Sequence, residues 1–263
     1  MKNLPIYDVL DDIKTTLNTE SALILEAPPG AGKSTVVPIS LLNESWLENK
    51  VIIMLEPRRV AVRMVAVQMA KLLGEEVGQS VGYQVKMESC YSKQTKLLVV
   101  TEAILVRKLQ SDQALEDVAM VIFDEFHERS IHTDLSLALC LQVQELLRDD
   151  LKLLIMSATL DSLELTNLLG KIPVINSKGK IYDVENIYLE TNIKQPDSKS
   201  INTLLLNITL KAIKEDEGDI LVFLAGSREI QKLQFLLEES LKEKNIEILP
   251  LYSTLSKEKQ DKA

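Results

Sequence analysis

An α/β fold with a mostly parallel sheet is what this chain of 263 residues predicts. Three features predict it. Short runs of Val, Ile and Leu carry almost no polar alternation, which suits strands buried on both faces of a parallel sheet. Amphipathic stretches lie between them, and strand–helix alternation of that kind builds a parallel sheet with helices on its faces. The composition, 46% hydrophobic and 26% charged, is that of a globular protein long enough to bury a proper core.

The expected strands are Ala22–Glu26 (ALILE), Val51–Leu55 (VIIML), Lys96–Val100 (KLLVV), Ala119–Phe123 (AMVIF) and Leu151–Met156 (LKLLIM). A helix is expected to start near Lys33, another over Pro57–Leu73, and a third over Thr133–Arg148, where Leu135, Leu139, Val143 and Leu146 share one side. A further helix is expected from about Asp161. A boundary falls near Lys178–Asp183, followed by a polar stretch to about Ser200. The chain then reads as two parts, 1–182 and 183–263, the second holding only the front of a further α/β unit. In that part Ile201–Lys214 reads as a helix, Glu215–Gly218 as an acidic turn, Asp219–Leu224 (DILVFL) as a strand, Ser227–Lys244 as an amphipathic helix and Ile246–Leu251 as a strand.

Nine glycines and eight prolines leave no low-complexity linker. Two cysteines, Cys90 and Cys140, make no disulfide framework, which points to a reducing compartment. No apolar run approaches the ~20 residues of a membrane span. The opening MKNLPIYDVLDDIK places acids where a signal peptide needs an apolar stretch, so a cytoplasmic protein is expected. The formal net charge of −9 argues against nucleic-acid binding, whose affinity rests on cations meeting phosphates. It does not exclude binding through local arginines.

The strongest chemical signal is the stretch Ala27-Pro28-Pro29-Gly30-Ala31-Gly32-Lys33-Ser34-Thr35. It fits the Walker A pattern, with Ala27 in place of the first glycine, and it stands between a strand and a helix. The glycines let backbone N–H groups close around phosphate oxygens at a helix start. Lys33 would reach the β- and γ-phosphates, and Ser34 would place its hydroxyl on Mg²⁺.

The second signal is acidic. The strand AMVIF runs into Asp124-Glu125-Phe126-His127, at the sheet edge where ligands bind in this fold class. Asp124 can hold Mg²⁺ through water, and Glu125 can orient the water that attacks the γ-phosphorus. His127 is placed to link this site to another element. Alone, these four residues read equally well as a solvated turn; beside a phosphate loop they read as the other half of a nucleotide site.

Three quieter segments also follow strands. Arg58 and Arg59, after VIIML, read either as phosphate contacts or as a solvated helix start. Thr101 and Glu102 follow KLLVV, where a hydroxyl and a backbone N–H suit a nucleic-acid backbone phosphate. Ser157 and Thr159, in Ser-Ala-Thr after LKLLIM, read as a bridge between sites or as a plain turn. His132, Cys90 and Cys140 carry no metal or nucleophile pattern.

Taken in order, these segments resemble the DEAH/RHA group of superfamily 2 helicases, and in particular its bacterial HrpB-type members. The matching stretches are APPGAGKST, EPRRVAVR, TEAIL, DEFHERS, SATL and LVFLAG, with VGYQVKME and LPLYSTLS between and after them. The resemblance implies a RecA-like P-loop NTPase domain followed by the first part of a second RecA-like domain, with ATP and Mg²⁺ as cofactors. It implies single-stranded nucleic acid as partner, RNA rather than DNA, a monomer, and no membrane. Lys33, Ser34, Asp124 and Glu125 would serve phosphate, metal and water; Ser157 and Thr159 would couple nucleotide to strand; Arg58, Arg59 and Thr101 would contact nucleic-acid backbone. Ala103 stands where the group usually has glycine, and Gln68 where an arginine near the adenine is usual. The group's later motifs, V and VI, have no counterpart in these 263 residues, so the chain by itself is expected to bind nucleotide weakly, hydrolyse ATP poorly and not unwind. The competing readings are another P-loop enzyme, such as a small-molecule kinase, and a nucleotide-regulated binding module without motor activity.

Overall fold

The computed structural model describes residues 4–158, 169–170, 172–179, 184–189, 200–242, 246–252 and 254–263. Thr159, the helix expected from about Asp161 and most of the polar stretch before Ser200 lie outside the described residues. The chain divides into two compact units, Met1–Asp183 and Val184–Ala263.

The first unit is built on eight strands: β1 (Ala22–Glu26), β2 (Val51–Leu55), β3 (Val81–Val85), β4 (Glu88–Cys90), β5 (Leu97–Val100), β6 (Val118–Phe123), β7 (Lys152–Ser157) and β8 (Val174–Asn176). Their order across the sheet is β4-β3-β5-β2-β6-β7-β1-β8. The β3–β4 hairpin is antiparallel and the other described pairings are parallel. The expected α/β fold with a mostly parallel sheet is therefore the observed one. β3, β4 and β8 add to the five strands legible in this unit.

Helices cover both faces, which is why the strands read as unbroken apolar runs. On one face lie α1 (Leu10–Thr19), α2 (Lys33–Ser40) and α3 (Arg59–Leu73); on the other lie α4 (Glu102–Ser111) and α5 (Ile131–Leu146). Successive strand residues alternate between the two cores. Leu23 and Leu25 pack with Val37, Val62 and Met69, whereas Ile24 packs with Leu105, Leu137 and Cys140. α3 stops at Gly74, whose φ of 73° suits glycine beyond a helix end. α5 begins two residues earlier than the periodicity suggests, because the Ser130 hydroxyl accepts the Thr133 N–H and caps it.

Parallel pairing places the carboxyl ends of these strands on one edge of the sheet. Read across β5, β2, β6, β7 and β1, the residues at or just beyond that edge are Thr101, Glu56, Asp124, Ser157 and Glu26.

The second unit holds α6 (Ile201–Glu215), α7 (Ser227–Ser240) and α8 (Lys257–Lys262). Leu233, Leu237 and Leu241 form its small core, with Leu206, Leu210, Val222, Leu224 and Ile248 packed against them. The two strands expected at Asp219–Leu224 and Ile246–Leu251 are not observed. Residues 219–224 keep a two-residue rhythm, Val222 and Leu224 toward the helices and Leu221 and Phe223 outward. Neither segment has a ladder partner among the described residues, and a strand exists only by the hydrogen bonds of a neighbour.

Arg148, just past α5, ties β6 to that helix. Its Nη1 donates to the carbonyls of Ala114 and Leu115 (3.1 and 2.7 Å) and its Nη2 to that of Val118 (3.1 Å), while Asp150 accepts from Nε at 2.5 Å. Arg148→Ala leaves three carbonyls without this partner, and urea unfolding should show a loss of about 1–3 kcal/mol. Arg148→Lys should recover only part of it, because a single ammonium cannot fork. An unchanged unfolding midpoint in Arg148→Ala contradicts this assignment.

Candidate active site at the carboxyl edge of the sheet

The phosphate loop leaves β1 at Ala27 and ends at α2, with Gly30 and Gly32 at φ of 76° and 97°. Gly32 caps α2 in the left-handed region, and a Cβ there would also lie 3.0 Å from both Ile6 and Leu4. The N-terminal segment thus supports the loop from beneath, and the Ile6 N–H donates to the Ala31 carbonyl at 3.3 Å. On another side Gly179 approaches Pro28 so closely that a Cβ would fall 2.0 Å from its ring.

Lys33 opens α2 and is buried, with its Nζ 2.8 Å from Glu125 Oε1. The distance brings the phosphate loop and the acidic strand end into one site. The other Glu125 oxygen, Oε2, lies 3.3 Å from His127 Nε2. His127 Nδ1 accepts the Ala158 N–H at 3.2 Å, so the ring proton sits on Nε2, facing Glu125. The Ser157 carbonyl in turn accepts the Ala27 N–H at 3.0 Å. A closed circuit results: phosphate loop, Lys33, Glu125, His127, the end of β7, and the phosphate loop again.

Asp124 is buried, and its Oδ1 accepts the Glu125 N–H at 2.9 Å. Its Oδ2 has no hydrogen-bond partner. Burial pushes its carboxyl up to about 6, with Glu125 adding to the rise, while the Ser34 hydroxyl and Lys33 oppose it. A buried, unpartnered carboxylate oxygen next to a hydroxyl is a donor set that fits Mg²⁺, which takes one or two protein oxygens and completes its shell with phosphate and water. Among the described residues no cluster of three or more His, Cys, Asp or Glu could hold a metal ion.

Glu125 itself lies at φ 48°, ψ 37°, and Arg129 at φ 45°, ψ 83°. Left-handed backbone at a non-glycine residue costs about 1–3 kcal/mol and persists where neighbours over-determine it. Here Phe126 is buried edge-on to Phe123, with ring centroids 6.4 Å apart. The Arg129 guanidinium lies over Phe126 and pairs with both Asp134 oxygens, at 3.2 and 3.0 Å.

The quieter candidates lie on the same edge. Arg58 is exposed and its Nη2 donates to Glu128 Oε1 at 2.9 Å, which joins it to the loop after Asp124. Arg59 opens α3 and is exposed, and Thr101 precedes α4 without capping it through its side chain. Three carboxylates escaped the sequence reading of the site. Glu26 is buried with both oxygens unpartnered, Glu128 holds Arg58, and Glu56 is buried at the end of β2. The signal was present for two of them, since Glu26 and Glu56, like Asp124, are acids that end apolar runs.

Burial raises Glu56 to about 8, and the charges of Asp124, Glu125 and Glu128 add to the rise. The folded protein therefore keeps a proton that the unfolded chain releases near pH 4.5. Stability falls as pH climbs from there to about 8 and levels off above it. Glu56→Gln should melt higher than the parent at pH 8.5 in EDTA, by several degrees on a scale of ~2–4 °C per kcal/mol, and the gap should close toward pH 5. A gap that does not vary with pH contradicts the buried proton.

The pattern that describes the DEAD/DEAH box helicases matches residues 11–168. Over its 263 residues the chain is 43% identical to a protein of Escherichia coli K12 named ATP-dependent RNA helicase HrpB, all of this chain against 32% of that one. It is 34% identical over 259 residues to a protein of Borreliella burgdorferi named ATP-dependent RNA helicase HrpA, 98% of this chain against 31% of that one. Two crystal structures of E. coli HrpB, described as a DEAH/RHA helicase and a DExH-box NTPase, superpose with TM-scores of 0.88 and 0.80 at 43% identity. They cover 99% and 100% of this chain and 33% and 32% of theirs. The chain thus spans about a third of the length of the curated relatives it matches.

Proposed function

The chain belongs to the DEAD/DEAH box helicase family, with a RecA-like first unit, and from that premise we propose that it is the N-terminal portion of an ATP-dependent RNA helicase. Residues 1–182 form the ATP-binding domain in this reading, and 183–263 the first portion of a second RecA-like domain. The observation that carries the proposal is the Lys33–Glu125 contact of 2.8 Å at the mouth of the phosphate loop. A cation and a carboxylate in contact there support a site that takes a terminal phosphate and its attacking water.

ATP enters with its β- and γ-phosphates against Gly30, Ala31, Gly32 and the Lys33 ammonium, while Ala27, Pro28, Pro29 and Thr35 shape the loop around them. Lys33 exchanges Glu125 for phosphate. Ser34 and Asp124 would hold Mg²⁺, which supplies charge neutralisation at the phosphates when bound. Glu125, released from Lys33 but still held by the His127 proton, orients the attacking water. His127 carries a change at Glu125 to Ala158, and so to Ser157 and Thr159, the coupling segment. Arg58, Arg59 and Thr101 face the backbone of a single-stranded RNA beyond the neighbouring strands β2 and β5. A monomer in the cytoplasm fits this reading; among the described residues no helix is long and apolar enough to cross a membrane.

Two variants separate binding from chemistry. Glu125→Gln should bind ATP at least as tightly as the parent, because the resident anion on Lys33 is gone, while turnover falls about 10²–10⁴-fold. Lys33→Ala should lose nucleotide binding altogether. Fluorescent-nucleotide anisotropy and phosphate release, each with and without single-stranded RNA, report both. Parental turnover in Glu125→Gln contradicts the assigned role, and nucleotide binding without any turnover in the parent favours a binding module.

A further inference from the structure

Glu102 opens α4, directly after Thr101, and its side chain has no part in the site described above. Its Oε1 accepts a hydrogen bond from the Ser130 hydroxyl at 2.8 Å and a second from the Thr133 hydroxyl. The same Ser130 oxygen accepts the Thr133 N–H at 3.0 Å and lies 3.0 Å from the Thr133 hydroxyl. One carboxylate oxygen thus gathers the start of α4 and the cap of α5 into a single knot. Thr133 is buried there, and Ser130 and Glu102 are half-buried.

That knot sits at the far end of the segment that carries Glu125. At the near end the loop is held by Asp124, Lys33 and His127. Between the two ends the backbone passes twice through the left-handed region, at Glu125 and at Arg129. A segment in that conformation has few alternatives of similar energy, so a displacement at one end is passed along rather than absorbed.

We propose that Glu102 is a positioning residue, which transmits contact of a nucleic-acid phosphate at Thr101 to the water-orienting carboxylate of Glu125. This rests on the nucleic-acid reading of Thr101 given above. A phosphate drawn to the first turn of α4 meets a carboxylate whose charge is already engaged by two hydroxyls. It shifts that turn, and Glu102 carries the shift through Ser130 into residues 125–129. In the other direction, phosphate replacing Glu125 on Lys33 shifts the loop and reaches Thr101 by the same route. Coupling of this kind is reciprocal.

The test is the ratio of dissociation constants for an oligouridylate RNA on this chain, with and without Mg²⁺·ADP·beryllium fluoride. The parent should give a ratio of about fivefold or more. Glu102→Ala should collapse it to near one, while the chain still binds RNA and nucleotide separately and still unfolds in one cooperative thermal transition. Glu102→Gln should restore the ratio, because its amide oxygen accepts the same two hydroxyls. Thr133→Val, which removes one donor from the other side of the knot, should lower it if Glu102→Ala does not fold. A parent ratio of one, or a full ratio in Glu102→Ala or in Thr133→Val, overturns the proposal alone. A parent that binds nucleotide but no RNA overturns the nucleic-acid reading, and this inference with it.

Discussion

A buried ammonium needs a counter-charge, and in this protein the counter-charge is Glu125. Lys33 comes from the helix after β1 and Glu125 from the end of β6, so their contact closes the phosphate loop onto a strand two places away in the sheet. Around them are Glu26, Glu56 and Asp124, each buried at the end of its own strand. Desolvation disfavours the charged form of Glu56 and Asp124. An edge so loaded with carboxylates and provided with one buried lysine is suited to ligands that bring cations and phosphate together.

The same edge explains the strain next to it. Glu125 occupies left-handed backbone because Asp124 accepts its N–H while Lys33 and His127 hold its two oxygens. Arg129, at the other end of the short turn, is kept in place by Phe126 and Asp134. The loop is therefore determined from both sides, by the nucleotide site in front and by α4 and α5 behind.

Much of this was legible in the residues. A parallel sheet covered on both faces makes its strands read as continuous apolar runs, and each run ended in a residue of the site. β3, β4 and β8 were less visible because they lie toward the sheet's edges, two of them only three residues long, without such a run. Residues 219–224 carried the run but lack a neighbour to pair with among the described residues. Within the site, the Walker loop and Asp124–Glu125 were plain, since their spacing is set by local chemistry. The links between them were not. His127 to Ala158, Arg58 to Glu128 and Glu102 to Ser130 each join segments 28 or more residues apart, and no local pattern records such a contact. The net charge of −9 is equally silent on placement: Glu26, Glu56 and Asp124 are buried at the ends of their own strands, and Arg58 is paired with Glu128.

The proposed function turns on an exchange of partners at Lys33, from Glu125 to phosphate. A crystal structure of this chain with Mg²⁺, ADP and beryllium fluoride tests it most directly. The expected result is the Lys33 ammonium on the fluoride that stands for the γ-phosphate, the metal on Ser34 and Asp124, and Glu125 still on His127 but free of Lys33. Nucleotide bound in the loop with Lys33 still paired to Glu125 would contradict it.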